Sequence, residues 1–185
     1  MIIGILAVLS ASAAAGMRIA LPLLIIGLLH SNLWSEVPLL SKIPPPVLLG
    51  VLTSWSLFEL FGSKKLLGQR VLQLIELVFS PFVGGLLAVT VVKMGNFAME
   101  PLWLIGVIGG VLALVLKLVQ VGWFFRLRGI PFWVVCLEDL ICVLLVFFAV
   151  EAPENGGLIA LMLLWLAIRS STAWQQWYSK SQKKE

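Results

Sequence analysis

Long apolar runs, separated by short polar or breaker-rich links, dominate the pattern of this chain. Six runs reach or approach the length of about 20 residues that a helix needs to cross a bilayer. They lie at Ile2–Leu29, Pro44–Gly62, Val71–Val92, Pro101–Phe125, Pro131–Val150 and Gly157–Tyr178. None alternates between apolar and polar positions as a membrane β-strand would. The pattern predicts an all-α, polytopic transmembrane bundle of about six spans, forming one domain over residues 1–178 before a polar, basic tail at 179–185.

The links between the runs contain residues that begin and end helices. Pro44-Pro45-Pro46 opens the second run, and Gly62-Ser63-Lys64-Lys65 closes it. Gly129-Ile130-Pro131 joins the fourth and fifth runs, and Pro153-Glu154-Asn155-Gly156-Gly157 joins the fifth and sixth. Each of these links has the turn chemistry that is expected between helices.

The first run is interrupted near its middle by Gly16, Arg18 and Pro22. Because Pro22 removes a helical hydrogen bond and crowds the preceding turn, we expect a kinked or broken first helix. The sequence leaves open whether the helix continues through a kink or is discontinuous. Residues 11–15 resemble a signal-peptidase site, but no Lys or Arg precedes the apolar stretch, so we predict that this helix is retained.

The composition supports a lipid environment. Hydrophobic residues make up 61% of the 185 residues and charged residues 12%, whereas soluble domains average about 45–50% and about 25%. Outside the apolar runs there is no basic face with interleaved aromatic residues, so nucleic acid is not an expected partner. The bilayer itself is the expected partner.

Loop charges indicate the orientation. With six spans, the side that carries both termini holds eight basic residues and the other side holds two. The first set is Lys64, Lys65, Arg70, Arg126, Arg128, Lys180, Lys183 and Lys184, and the second is Lys42 and Lys93. Because basic loops stay in the cytoplasm, we predict both termini there or in its organellar equivalent, in an inner, plasma or thylakoid-type membrane.

Six ionisable residues fall inside the predicted spans: Arg18, Glu59, Glu76, Lys117, Glu138 and Asp139. Each charge at the bilayer centre costs roughly 2.5–3.5 kcal/mol, so six unpaired charges would cost about 15–20 kcal/mol. That cost exceeds a typical folding stability of about 5–15 kcal/mol. We therefore expect these side chains to face the bundle interior, where they pair, line water or titrate.

The buried charges do not balance. Two basic residues face four carboxylates, a deficit of two positive charges, or of one if Arg169 reaches in from a helix end. Protonation or a bound cation could close the deficit. We therefore hypothesise a cluster that binds or conducts protons or a small cation, against the alternative of a static salt-bridge network. Glu59 and Glu76 could instead reach the interface beside Lys64 and Lys65.

Other chemistry is sparse. Cys136 and Cys142 are expected to be buried small hydrophobic residues, and His30 has no partner at metal-ligand spacing. No phosphate-binding loop, nucleophilic set or cofactor motif is present. The sequence thus predicts no enzyme, no metal and no cofactor.

Two functions remain open on this basis. The first is a small transporter or channel for an ion or small solute. The two halves of the chain are weakly similar, because in each half a basic residue (Arg18, Lys117) precedes a carboxylate (Glu59, Glu138). This similarity suggests a 3+3 inverted repeat. The second is a non-catalytic scaffold, homo-oligomer or assembly partner of a membrane complex. Small residues that permit close helix packing motivate it, namely Gly84, Gly85, Gly109 and Gly110.

Four stretches resemble one known family. Ala13–Leu24 is similar to the opening helix of the domain-of-unknown-function family 4126, and Glu59 to the carboxylate that ends its second helix. The turn at Ser80–Gly85 and the Leu137-Glu138-Asp139 segment resemble later landmarks of that family. Gly62-Ser63-Lys64-Lys65 departs from it in lacking acidic residues. The resemblance covers nearly the whole chain and implies a multi-span membrane protein of bacterial or plastid type, without implying an activity.

Overall fold

The computed structural model describes residues 2–29, 44–62, 66–127 and 131–182, and all the regular structure within them is helical. The described residues form seven helices: α1 (Ile2–Met17), α2 (Ala20–Leu29), α3 (Pro45–Gly62), α4 (Leu66–Met94), α5 (Leu102–Leu127), α6 (Phe132–Glu151) and α7 (Pro153–Gln182). The predicted all-α class is confirmed for the described part of the chain. The first predicted run is divided into α1 and α2, with Arg18 and Ile19 between them.

Three of the described helices are long and apolar enough to cross a membrane, over Gly68–Met94, Leu102–Arg126 and Trp133–Glu151. Large apolar side chains point outward from them, as Phe82 and Trp103 do with 71% and 70% of their surface exposed. Lipid solvates such surfaces, whereas water would not. The chain is therefore an integral membrane protein.

Helix α1 forms the centre of the bundle. It packs against α4, α5, α6 and α7, and its Ala7, Ala11 and Ala13 are fully buried. A helix with protein on every side shows no polar face. Small side chains let four neighbours approach it, and its buried hydroxyls donate to neighbouring backbone, Ser10 Oγ to Leu145 O at 2.7 Å among them.

Glycines allow α4 and α5 to pack at close range. A Cβ atom added at Gly85 would lie 2.7 Å from Gly106 O, and one added at Gly110 would lie 2.6 Å from Pro81 O. Both distances are shorter than real Cβ contacts, so only glycine fits. The glycines at 84, 85, 109 and 110 thus all make close contacts within the chain.

The Ser80–Gly85 segment is helical, so its prediction as a turn is wrong. Helix α4 continues through Pro81 to Met94. Proline removes one helical hydrogen bond, but a membrane environment penalises every further unpaired backbone group, which favours continuing the helix. The glycines here serve contact with α5 instead of a reversal of the chain.

The predicted link at Pro153–Gly157 is also wrong. Helix α7 begins at Pro153, leaving Ala152 alone between α6 and α7. Proline suits the first position of a helix, where its missing N–H has no partner to lose. Gly156 and Gly157 are buried against α1, so they too serve close packing. Helix α7 then runs to Gln182, past the predicted end of the span at Tyr178.

Most residues that carry the predicted topology lie outside the described part of the chain. These are Lys42, Lys64, Lys65, Arg128, Lys183 and Lys184. His30, which was considered as a metal ligand, also lies outside the described residues. The six-span count, the inverted repeat and the orientation therefore remain predictions.

The glycine contact predicts a sharp difference between two alanine substitutions. Gly110→Ala should destabilise the fold by about 1–3 kcal/mol, because the added methyl meets the backbone of Pro81. Gly50→Ala should be neutral or slightly stabilising, because nothing lies within 4 Å of the added atom. Thermal unfolding in detergent, followed by circular dichroism, measures both. Equal melting temperatures for the two variants would be incompatible with the α4–α5 packing.

Candidate functional site

The site forms where α1 ends inside the bundle. The last carbonyls of a helix have no partner within it, and burial makes such groups costly. Here three side chains from neighbouring helices donate to the carbonyls of Ala14, Ala15 and Met17, the first of which also accepts from the backbone N–H of Arg18 at 3.0 Å. Ser80 Oγ of α4 lies 3.4 Å from Ala15 O, Lys117 Nζ of α5 lies 3.3 Å from Met17 O, and Cys142 Sγ of α6 lies 3.5 Å from Ala14 O. The break is thus tied to three helices at once.

Arg18 lies at the break and is only 5% exposed. Its Nε donates to Asp139 Oδ1 at 2.6 Å, and its Nη1 lies 3.4 Å from Glu76 Oε1. The second oxygen of Glu76 pairs with Lys117 Nζ. Four charged side chains therefore form a row, Asp139–Arg18–Glu76–Lys117, in which signs alternate. With two cations and two anions, this row is neutral.

Lys117 is fully enclosed, and each hydrogen of its ammonium group has an acceptor. Beside Glu76 and the Met17 carbonyl, Nζ donates to Gln120 Oε1 at 3.1 Å. A cation at the carboxyl end of α1 also interacts favourably with that helix's dipole. Gln120 Nε2 in turn donates to Glu138 Oε1 at 2.9 Å. The amide thus connects Glu138 to the row without an ion pair.

Glu59 is buried beside the start of α2. Trp55 Nε1 donates to its Oε1 at 2.8 Å, while Oε2 has no hydrogen-bond partner among the described residues. Arg18 and Glu76 are its principal charged neighbours, yet neither forms an ion pair with it within the described chain. Burial at 2% exposure also excludes the alternative in which Glu59 reaches the interface.

The excess negative charge is therefore located on two residues. Glu59, which is buried, and Glu138, which is partly buried, have only neutral hydrogen-bond donors within the described chain. Arg169 does not reach them, because its side chain is exposed and its guanidinium lies 5.2 Å from the Trp165 ring centroid. The deficit of two positive charges remains.

All six predicted site residues lie in or beside one network. Four of them form the row, Gln120 attaches Glu138, and Glu59 adjoins it next to α2. Glu76, at 1% exposure, is also too deep to reach the interface. The interpretation of these charges as interior groups that partner one another fits this arrangement.

Several polar residues of the site were missed in the sequence. Gln69, Gln73 and Ser80 share one buried face of α4 with the predicted Glu76, since the four positions follow a 4-3-4 spacing. Gln73 Oε1 has no hydrogen-bond partner within the described residues. Trp55 and Gln120 stand four residues before Glu59 and three after Lys117, on the same helix faces. Helical spacing from each buried charge would have found them all.

The donor set does not favour a metal. Within residues 2–29, 44–62, 66–127 and 131–182, no group of three or more His, Cys, Asp and Glu residues is placed to hold a metal ion. Cys142 is buried and free, as predicted for a small hydrophobic residue. Cys136 is free but exposed, so its predicted burial is wrong. The chemistry that the site offers is that of carboxylates, amides and two fixed cations.

The pairing pattern predicts stability effects of very different size for two similar substitutions. Glu76→Gln should cost about 3–5 kcal/mol, since it leaves Lys117 and one side of Arg18 buried without a counter-charge. Glu59→Gln should change stability by less than about 1 kcal/mol, because its amide oxygen can still accept from Trp55 and no ion pair is lost. Denaturant titration in mixed micelles measures both. A larger loss for Glu59→Gln than for Glu76→Gln would contradict the assignment.

Comparison with known proteins gives one match, which is to a protein family. No curated protein and no solved structure matches the chain. A family model described as a domain of unknown function (DUF4126) matches residues 5–173, a region that contains all six charged residues of the site. The resemblance seen in the sequence is confirmed, and this chain belongs to the DUF4126 family.

Proposed function

We propose that this protein is a small membrane transporter or channel whose buried carboxylates handle protons or a small cation. One observation carries the proposal: the neutral row of four charges leaves Glu59 and Glu138 without an ion-pair partner among the described residues. A fixed salt-bridge network would gain nothing from two further unpaired carboxylates, each costing roughly 2.5–3.5 kcal/mol at membrane depth. Two mobile positive charges account for them.

The six charged residues fall into two groups with different proposed roles. Asp139, Arg18, Glu76 and Lys117 hold the break between α1 and α2, so they serve as fixed structure. Glu59 and Glu138 accept hydrogen bonds from neutral groups alone, which leaves them able to gain or lose a proton without breaking an ion pair. The free Glu59 Oε2 is an acceptor that a proton or a cation would satisfy.

The interrupted first helix supports this reading. In many transporters, two half-helices meet near the membrane midplane and their free ends form the binding site. Here the carbonyl end of α1 meets Lys117, and the backbone N–H of Ala20 at the start of α2 faces Glu59. The partial negative charge at the carbonyl end of α1 thus meets a cation, and the partial positive charge at the N–H end of α2 meets a carboxylate.

The proposed architecture keeps six spans in one membrane domain. Helices α1 and α2 together form a discontinuous first span, and α3 to α7 form the rest, with both termini on the cytoplasmic side or its equivalent. A 3+3 inverted repeat belongs to the proposal, and it gains support from Arg18 and Lys117, its matching basic residues, which both contact Glu76. We propose no catalytic activity.

The scaffold alternative has less support. Its motivating glycines pack α4 against α5 inside the chain, so they offer no surface to a partner helix. No other contact of the described residues favours it over transport.

Flux through proteoliposomes tests the proposal. The protein is reconstituted in liposomes that contain a pH-sensitive dye, and a potassium diffusion potential drives proton flux. Sodium and potassium gradients are tested in two separate arms. Glu59→Gln and Glu138→Gln should each lower the flux about tenfold or more, equal to about 1.4 kcal/mol in the barrier, because a neutral amide cannot carry the charge.

The matched control is Glu151→Gln, an exposed carboxylate on the same helix as Glu138, which should transport at the wild-type rate. Wild-type flux equal to that of empty liposomes in all three arms, or a wild-type rate of flux in both Glu59→Gln and Glu138→Gln, would refute the proposal.

A further inference from the structure

A groove of about 320 Å³ lies between the last turns of α5 and residues 170–171 of α7. One wall of it is apolar. That wall is formed by Leu118, Val119, Val121, Gly122 and Phe125. Leu118 and Phe125 are half or more exposed, so the groove opens on the outer surface of the bundle. A groove on that surface is accessible from the surrounding lipid.

The other end of the groove is polar and basic. Arg126, Ser170 and Ser171 line it, and Arg126 forms no ion pair with any residue that the structure describes. Trp123 Nε1 donates to Ser170 Oγ at 2.6 Å, which joins α5 to α7 and fixes the edge of the groove. Since Ser170 is the acceptor in that bond, its own hydroxyl hydrogen is available to a ligand.

The depth of the groove suits a headgroup. Arg126 lies in the last turn of a membrane-spanning helix, and Trp123 lies one turn deeper. Tryptophan at helix ends marks the boundary between hydrocarbon and headgroups. The polar end of the groove thus lies at headgroup depth, and its apolar wall continues toward the hydrocarbon.

We infer that this groove is a binding site for an anionic phospholipid. The phosphate group would accept from the Arg126 guanidinium and the two serine hydroxyls, and the first part of an acyl chain would follow the apolar wall. Arg126, which has no ion-pair partner among the described residues, favours a negatively charged ligand, and a guanidinium matches the geometry of phosphate oxygens. The site is separate from the carboxylate network and does not depend on the proposed transport.

Lipid titration of the purified full-length protein tests the inference. In neutral detergent, short-chain phosphatidylglycerol should raise the melting temperature saturably, and phosphatidylcholine of the same chain length should not. Arg126→Gln should weaken the apparent affinity for phosphatidylglycerol by about fivefold or more, the effect expected for one basic residue at the membrane surface.

Two further variants separate the site from general charge and from misfolding. Arg169→Gln removes an exposed arginine on α7 that does not line the groove, and it should bind like wild type. Val121→Trp fills the apolar wall with Arg126 intact, and it should lose phosphatidylglycerol protection. Equal effects of the two lipids, equal losses in both arginine variants, or the same protection by inorganic phosphate alone would overturn the lipid site.

Discussion

A buried arginine at a helix break is the constraint on which the rest of this structure depends. Helix α1 ends inside an apolar bundle, where its free carbonyls and the guanidinium of Arg18 would both be costly without partners. Asp139, Glu76 and Lys117 come from three other helices to satisfy them. The break is therefore held by the bundle as a whole, and α4, α5 and α6 are held around it. Small residues along α1 allow these helices to come close enough.

The distribution of charge around the break links structure to function. Neutrality within the row leaves two carboxylates, Glu59 and Glu138, which have neutral hydrogen-bond donors and no ion-pair partner among the described residues. A protein that only needed rigidity could have omitted both. Their presence in a medium that penalises charge is the physical basis of the proposed transport. The family to which the chain belongs has no defined activity, so this argument stands on the site itself.

Sequence reasoning found the apolar helices, three of which are long and apolar enough to cross a membrane, and the charged residues of the site, because both depend on strong local signals. Hydropathy marks a span, and a charge within a span must find a partner. It could not tell which carboxylates are paired, since pairing depends on which helices are neighbours. It also took Ser80–Gly85 and Pro153–Gly157 for turns, because glycine and proline have the same local signature whether they reverse a chain or permit close packing. Only the position of α1 and α5 beside them distinguishes the two uses.

The central claim is that the Arg18–Asp139 pair holds the break between α1 and α2. A double-mutant cycle with Arg18→Gln, Asp139→Asn and the combined variant, measured by equilibrium unfolding in mixed micelles, tests it most directly. The 2.6 Å contact predicts a coupling energy of about 1–3 kcal/mol. The double variant should therefore lose less stability than the two single variants lose together. Additivity within about 0.3–0.5 kcal/mol would contradict the claim.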